Sequence, residues 1–210
     1  RQTPFTSLTI GQAADQTVYV DGVPFTIGQN LEWVGASATQ GECDSTTTTP
    51  QVLRATVENL LRGGYEGGLY PINAKRESIW GVTCYKDFAS LPEKPDHVLV
   101  LVPARFAVQV IRDAAAAGAR SATIVTSGFS ELQDEDSQRL AAELQQVVRE
   151  TGMAVTGPNC LGNLSAGENL FTNIDDRIVT MEQGRVAIAG QSGAIVMAVR
   201  QALEDRGVGV

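Results

Sequence analysis

Gly35-Ala36-Ser37-Ala38-Thr39-Gln40-Gly41 lies between an apolar run, Leu31, Trp33 and Val34, and a helix-like stretch from Pro50 to Leu61. A loop of glycines and small residues between a strand and a helix is a phosphate-cradling arrangement. Small side chains let an anion approach the backbone, and the helix N-terminus offers unpaired N–H groups and a partial positive charge. The spacing is neither G-x-G-x-x-G nor G-x-x-x-x-G-K-[ST]. The loop therefore points to a nucleotide-like ligand while speaking against the two commonest ones, and a tight strand-to-helix turn with no ligand is the plain alternative.

Outward from this loop the chain repeats strand, loop and helix. The expected strands are Leu31–Val34, Gly68–Ile72, His97–Val102, Ala122–Thr126 and Ala154–Thr156, and the expected helices are Pro50–Leu61, Phe106–Ala117 and Asp134–Glu150. The strands are continuous apolar runs, as in a parallel sheet covered on both faces. Glycines follow the helices, at Gly63 and Gly64, Gly118 and Gly152, where a left-handed cap is wanted. The alternation predicts an α/β fold with a Rossmann-like, doubly wound parallel sheet. Ligands of such sheets sit at the carboxyl ends of the strands. Those ends carry the Gly35–Gly41 loop, Asn73-Ala74-Lys75, Pro103-Ala104-Arg105-Phe106, Ser127-Gly128-Phe129-Ser130-Glu131 and Gly157-Pro158-Asn159-Cys160-Leu161-Gly162.

Residues 1–30 break this pattern. Thr17–Val20, Asp21-Gly22 and Val23–Ile27 read as a β-hairpin, since Asp-Gly suits a two-residue turn with positive φ; Pro24 would place the second strand at an edge. Residues 165–182 read as a connecting excursion. A new unit starts near Gly184, with a strand over Arg185–Ala189, a turn at Gly190-Gln191-Ser192-Gly193 and a helix over Ala194–Asp205. The expected domains are thus an N-terminal extension (1–30), a Rossmann-like domain (31–182) and the start of a flavodoxin-like domain (183–210). The chain opens at Arg1 rather than Met and closes on Gly207-Val208-Gly209-Val210, which reads as the beginning of a strand, so we expect a fragment cut inside a second domain.

Bulk composition narrows the function. Hydrophobic residues make up 43% and charged residues 19% of the 210, with a net charge of -8. That balance fits a globular core and speaks against nucleic acid or an anionic membrane as the main partner. No apolar run is long enough to span a bilayer and no signal-peptide pattern opens the chain. Cys43, Cys84 and Cys160 are odd in number and lack C-x-x-C spacing, which indicates a reducing cytoplasm and no structural metal site. His97 is the one histidine, so a multi-histidine metal centre is excluded. Preceding an apolar strand, it reads as a structural histidine at a strand edge.

A nicotinamide site predicts an acidic residue after the second strand, for the ribose hydroxyls. Here the position reads Asn73-Ala74-Lys75, and a lysine suits phosphate better than a diol. Lys75 and Arg105 have the ordinary alternative of solvated surface charges, Glu131 that of an acid favoured by a helix dipole, Cys160 that of a buried inert thiol, and Ser192 that of a plain N-cap.

Taken in order, Gly35–Gly41, Tyr70-Pro71-Ile72-Asn73-Ala74-Lys75, Val102-Pro103-Ala104-Arg105-Phe106, Ser127–Glu131, Gly157–Gly162 and Gln191-Ser192-Gly193-Ala194 resemble the CoA-binding half of NDP-forming acyl-CoA synthetases, the superfamily of the succinyl-CoA synthetase alpha subunit. The resemblance runs from residue 31 to 210. It implies that Ser37, Ala38, Thr39 and Gln40, between Gly35 and Gly41, hold the CoA phosphates. It also implies that Lys75 contacts the nucleotide end of CoA, that Pro103, Val125, Thr126 and Ser127 line the same groove, and that Asn159 and Cys160 lie near the thiol. Gln191, Ser192 and Gly193 would form the helix start at which a phosphohistidine docks.

The implied reaction makes acyl-CoA from a carboxylic acid, CoA and ATP or GTP through an acyl phosphate and a phosphohistidine, releasing NDP and phosphate. An ATP-grasp partner would supply a nucleotide and Mg2+ site outside this chain, in a cytoplasmic oligomer. His97 does not match the phosphohistidine, no ATP-grasp segment is present, and residues 1–30 differ from the short lead-in expected. No catalytic residue is therefore assigned, and the chain alone should bind CoA without turnover. The second reading is a non-catalytic CoA or acyl-CoA sensor on the same fold.

Overall fold

A computed structural model describes residues 10–12, 18–20, 31–35, 50–79, 81–130, 132, 134–173 and 183–210. The chain falls into two compact units: Arg1–Pro50 with Gly67–Asn159, and Gln51–Glu66 with Cys160–Val210.

The first unit opens with β1 (Ile10–Gln12) and β2 (Val18–Val20), paired antiparallel with Ile10 opposite Val20. Val18–Val20 is thus a strand, but its described partner lies before it in the chain; the expected second arm, Val23–Ile27, lies outside the described residues. The main sheet is formed by β3 (Leu31–Gly35), β4 (Leu69–Ile72), β7 (His97–Leu101), β8 (Ser121–Ile124) and β9 (Ala154–Thr156), in the order β4-β3-β7-β8-β9 and parallel throughout. Winding runs from β3 to β4 on one side and from β7 through β8 to β9 on the other. The order therefore reverses between β3 and β7, where Gly35 faces Leu101 across the ladder. All of β7 and β8 is buried; Val98–Leu101 is an unbroken apolar run, as both-face burial favours, while the buried polar residues His97, Ser121 and Thr123 bond to one another.

Two helices follow strands of the first unit. Helix α2 (Ala104–Ala117) buries Ala107, Val108, Ile111 and Ala114 along one stripe and ends at Gly118, φ 91°. Helix α3 (Glu135–Thr151) starts where the Asp134 carboxylate accepts the Ser137 N–H at 2.9 Å, and ends at Gly152, φ 66°. Both stops use the left-handed conformation that glycine adopts without penalty. Helix α2 begins two residues before the expected Phe106, because Pro103 at φ −52° already directs the chain into the first turn. The core joins Val98, Val100, Ile124, Val155, Ile111, Val147 and Phe129.

Between β4 and β7 lies a small hairpin, β5 (Ser78–Ile79) with β6 (Val82–Thr83). Tyr85 then covers the outer edge of β4: its N–H donates to Pro71 O, and its carbonyl accepts the Asn73 N–H, each at 2.8 Å. Pro71 therefore turns its missing N–H toward this outer edge and costs the β3 ladder nothing.

The second unit contains α1 (Pro50–Arg62, mostly within it), the hairpin of β10 (Leu164–Ser165) and β11 (Leu170–Phe171), and α4 (Gly193–Glu204). Val57, Leu60, Leu170 and Phe171 are buried. Gly63 abuts the Phe171 ring so closely that no Cβ would fit, and Asn59 Nδ2 donates to Asn173 O at 2.8 Å. The expected excursion after residue 165 thus includes an ordered hairpin arm. The expected strand Arg185–Ala189 is not formed: residues 185–189 adopt no strand and Val186 is 37% exposed. Alternating apolar residues supply a pattern, but a strand also requires a ladder partner.

Candidate functional site

The carboxyl ends of the sheet form one connected rim in the first unit. Gly35 closes β3 opposite Leu101, and one residue beyond Leu101 the buried Val102 leads into Pro103 and α2. The α2 N-terminus has no side-chain cap; the Phe106 N–H donates to Pro103 O at 2.8 Å, and the helix dipole favours an anion at this end. Just after β8, Thr126 is fully buried and its hydroxyl donates to Val102 O at 2.6 Å. Val125 is buried too, and its N–H donates to Val100 O at 3.2 Å. These two residues fasten one strand end to the next. Ser127 and Gly128 stand half-buried at the surface. Gly128 has φ 102°, and a Cβ there would come 3.3 Å from Ala104 Cβ, which brings the β8 loop against the α2 start. The rim continues to β9 through the Asn159 N–H, which donates to Thr126 O at 3.0 Å, with Asn159 exposed at φ 56°.

At the other end of the rim, Lys75 is exposed on the turn after β4, and its N–H donates to Asn73 Oδ1 at 3.0 Å. Arg105 is exposed at the α2 start, with its guanidinium 4.7 Å from the centre of the Phe106 ring. The structure thus brings Gly35, Lys75, Pro103, Val125, Thr126, Ser127 and Asn159 to the same edge of one sheet. Ser37, Ala38, Thr39, Gln40, Gly41 and Glu131 lie outside the described residues.

In the second unit, Cys160 is half-buried. The Gly162 N–H donates to its Sγ at 3.4 Å. Burial pushes the thiol pKa up, and the Gly162 N–H offsets this in part. Gly162 is fixed by shape: at φ +114°, an added Cβ would lie 2.5 Å from Thr172 O. Leu161, next along, leans on Gly193, where an added Cβ would come 2.6 Å from Leu161 Cδ1. The turn bearing Cys160 therefore abuts the start of α4. There Ser192 Oγ accepts the Ile195 N–H at 3.4 Å as N-cap, and Gln191 is exposed.

His97 begins β7 and so stands at the opposite, amino end of the sheet. It is buried, with Nδ1 2.7 Å from Ser121 Oγ and Nε2 3.0 Å from Thr123 Oγ1. Ser121 Oγ also donates to Asp96 O at 3.3 Å. Its single proton thus directed, Ser121 accepts from Nδ1–H and leaves Nε2 to accept from Thr123. Burial lowers the His97 pKa to about 4. The ring is neutral and structural, as its sequence position indicated.

Sequence reasoning listed Asn73 only as part of a strand end. The structure shows its carboxamide shaping the Lys75 turn; an asparagine two residues before a lysine after an apolar strand is the local signal for such a turn.

A rim at a strand-order reversal, with an uncapped helix start and two exposed cations, suits an anionic nucleotide. The model of the CoA binding domain matches residues 47–166, more than half of the 210 residues. The chain belongs to the CoA binding domain family. A trans-feruloyl-CoA synthase from an unknown prokaryotic organism is 32% identical over 83% of this chain and 24% of its own length. The alpha subunit of the ADP-forming acetate–CoA ligase II of Pyrococcus furiosus is 33% identical over 62% of this chain and 28% of its own. A Candidatus Korarchaeum cryptofilum acetyl-coenzyme A synthetase solved with phosphate and ADP superimposes with a TM-score of 0.69 at 32% identity, covering 86% of this chain and 36% of that one. This CoA binding domain chain therefore spans about a quarter of the length of these curated relatives. Among the described residues no helix is long and apolar enough to cross a membrane.

Proposed function

We propose that the chain is the CoA-binding portion of an acid–thiol ligase that joins a carboxylic acid to CoA at the expense of ATP, with release of ADP and phosphate. The observation that carries this reading is the reversal of strand order between β3 and β7 in a chain of the CoA binding domain family. Such a reversal opens a crevice at the carboxyl ends of the strands, bordered here by Gly35, the α2 start and Lys75.

In this proposal Ser37, Ala38, Thr39 and Gln40 hold the CoA diphosphate, with Gly35 and Gly41 giving the loop its close approach. Lys75 acts as a mobile point charge on a phosphate. Pro103 and Ser127 line the groove, while Val125 and Thr126 hold the strand ends that shape it. Asn159 and Cys160 sit toward the thiol end. Gln191, Ser192 and Gly193 open α4, whose N-terminal amides would receive a phosphoryl group carried by a partner histidine. An ATP-grasp domain or subunit would hold the nucleotide and Mg2+ elsewhere in a cytoplasmic assembly. The ADP-forming names of relatives support ADP rather than GDP as the product.

Isothermal titration of the 210-residue chain with CoA, and in parallel with NADH, tests the proposal. Micromolar CoA binding without NADH binding is expected. NADH binding without CoA binding would overturn it.

A further inference from the structure

Asn73 follows the last residue of β4. One step past the Val34–Ile72 pair, it lies level with Gly35, where β3 gives way to the small-residue loop. It is only 5% exposed. Its N–H donates to Tyr85 O at 2.8 Å, its carbonyl accepts from Arg76 N at 3.4 Å, and its Oδ1 accepts the Lys75 N–H at 3.0 Å. Among the described residues its buried Nδ2 has no hydrogen-bond partner. The orientation of the amide is settled, because only its oxygen can accept the Lys75 N–H. A donor withheld from both water and protein is costly, and a native fold keeps one where something else completes it.

We infer that Asn73 reads the bound nucleotide: its Nδ2 donates to an oxygen or ring nitrogen in the adenosine phosphate half of CoA, while its Oδ1 holds the turn that presents Lys75. The inference rests on the CoA-binding reading above. Two features select an acceptor-rich anionic partner. The unused group is a pure donor, and the one side chain whose turn it shapes is a cation. Nδ2 is enclosed in the structure, but the following turn, residues 74–77, is exposed along its length. A ligand that draws on Lys75 acts on this same turn and reaches Nδ2 with a local adjustment. Asn73 is in this sense a specificity residue, coupling charge recognition at position 75 to a directional hydrogen bond at position 73.

The experiment is a titration of the 15N-labelled 210-residue chain with CoA, 3′-dephospho-CoA and pantetheine, for the parent and for Asn73→Asp. This variant keeps the acceptor for Lys75 and replaces the donor with a negative charge. The expected result is a CoA affinity lower by about tenfold or more, with pantetheine affinity unchanged. Loss confined to CoA assigns the acceptor to the 3′-phosphate; equal loss for CoA and 3′-dephospho-CoA assigns it to the rest of the nucleotide; both support the inference. Equal loss for all three ligands, or no loss, overturns it.

Should Asn73→Asp fail to fold, the Asn73 side-chain amide signals of the parent chain decide. A shift and slowed hydrogen exchange with CoA but not with pantetheine support the inference, and unmoved signals overturn it. A parent chain that binds none of the three ligands would instead defeat the CoA reading itself.

Discussion

His97 Nδ1 lies 2.7 Å from Ser121 Oγ across the β7–β8 ladder, where the two residues are direct register partners. The pair closes the amino end of the sheet, away from the rim at the carboxyl ends of the strands. One ring nitrogen donates and the other accepts, and no solvent reaches either. The imidazole is thus held neutral by burial, which lowers its pKa from 6.5 to about 4.

This pair predicts an acid sensitivity of known sign. The unfolded chain binds a proton at His97 below about 6.5, while the folded chain does so only below about 4. Stability contributed by the neutral ring is fully present above 6.5 and is lost as pH falls toward 4, by about 3 kcal/mol at the limit. As His97 is the only histidine, the effect is assignable. Thermal melts of the parent and of His97→Gln between pH 7 and pH 5 should show the parent losing more of its Tm over that interval. A constant gap between the two would mean that the folded ring titrates normally.

Lys75 stands exposed beside the crevice, so its contribution should be electrostatic and modest. Lys75→Ala is expected to weaken CoA roughly tenfold, about 1 kcal/mol or slightly more, while affecting 3′-dephospho-CoA and pantetheine less. The CoA effect should shrink as salt is raised from 0.05 to 0.5 M, given a Debye length near 10 Å at 0.1 M. Equal losses for the three ligands in calorimetry would remove Lys75 from the phosphate site.

Gly162 combines a left-handed φ with a close approach to backbone atoms. Alanine there would hold a φ of +114° and place its Cβ 2.5 Å from Thr172 O and 2.8 Å from Asn173 N. Backbone strain and overlap together should cost about 3 kcal/mol. Urea denaturation of Gly162→Ala should show the loss as a lower midpoint; a midpoint unchanged from the parent would show that the turn relaxes freely.

The parts of the fold that were legible in the sequence are those with a local physical signature. Val98–Leu101 is apolar throughout because both faces are covered. The ends of α3 were marked by Asp134 and Gly152, which cap it in the structure. Lys75 was singled out by its place after an apolar strand. The β5–β6 and β10–β11 hairpins escaped notice, since strands of two residues carry no period. Arg185–Ala189 misled for the opposite reason: it has the pattern without a ladder. The role of Asn73 depends on Tyr85, Lys75 and burial acting together, and no local reading supplies that. The loop 37–41 owes its assignment to family resemblance and lies outside the described residues.

Cys160 provides a test of what the turn after β9 does. Its Sγ accepts from the Gly162 N–H at 3.4 Å, and burial raises its pKa. Burial outweighs the one favourable hydrogen bond, from Gly162. The thiolate is the reactive form, so a raised pKa means a slow nucleophile at neutral pH. Iodoacetamide labelling read by peptide mass spectrometry should modify Cys160 more slowly than N-acetylcysteine at pH 7.5. Cys160→Ser should retain CoA affinity within several-fold, because serine preserves an acceptor for the Gly162 N–H. Rapid labelling at pH 7.5, or abolished CoA binding in the serine variant, would show that the sulfur takes part in the chemistry of the site rather than shaping its wall.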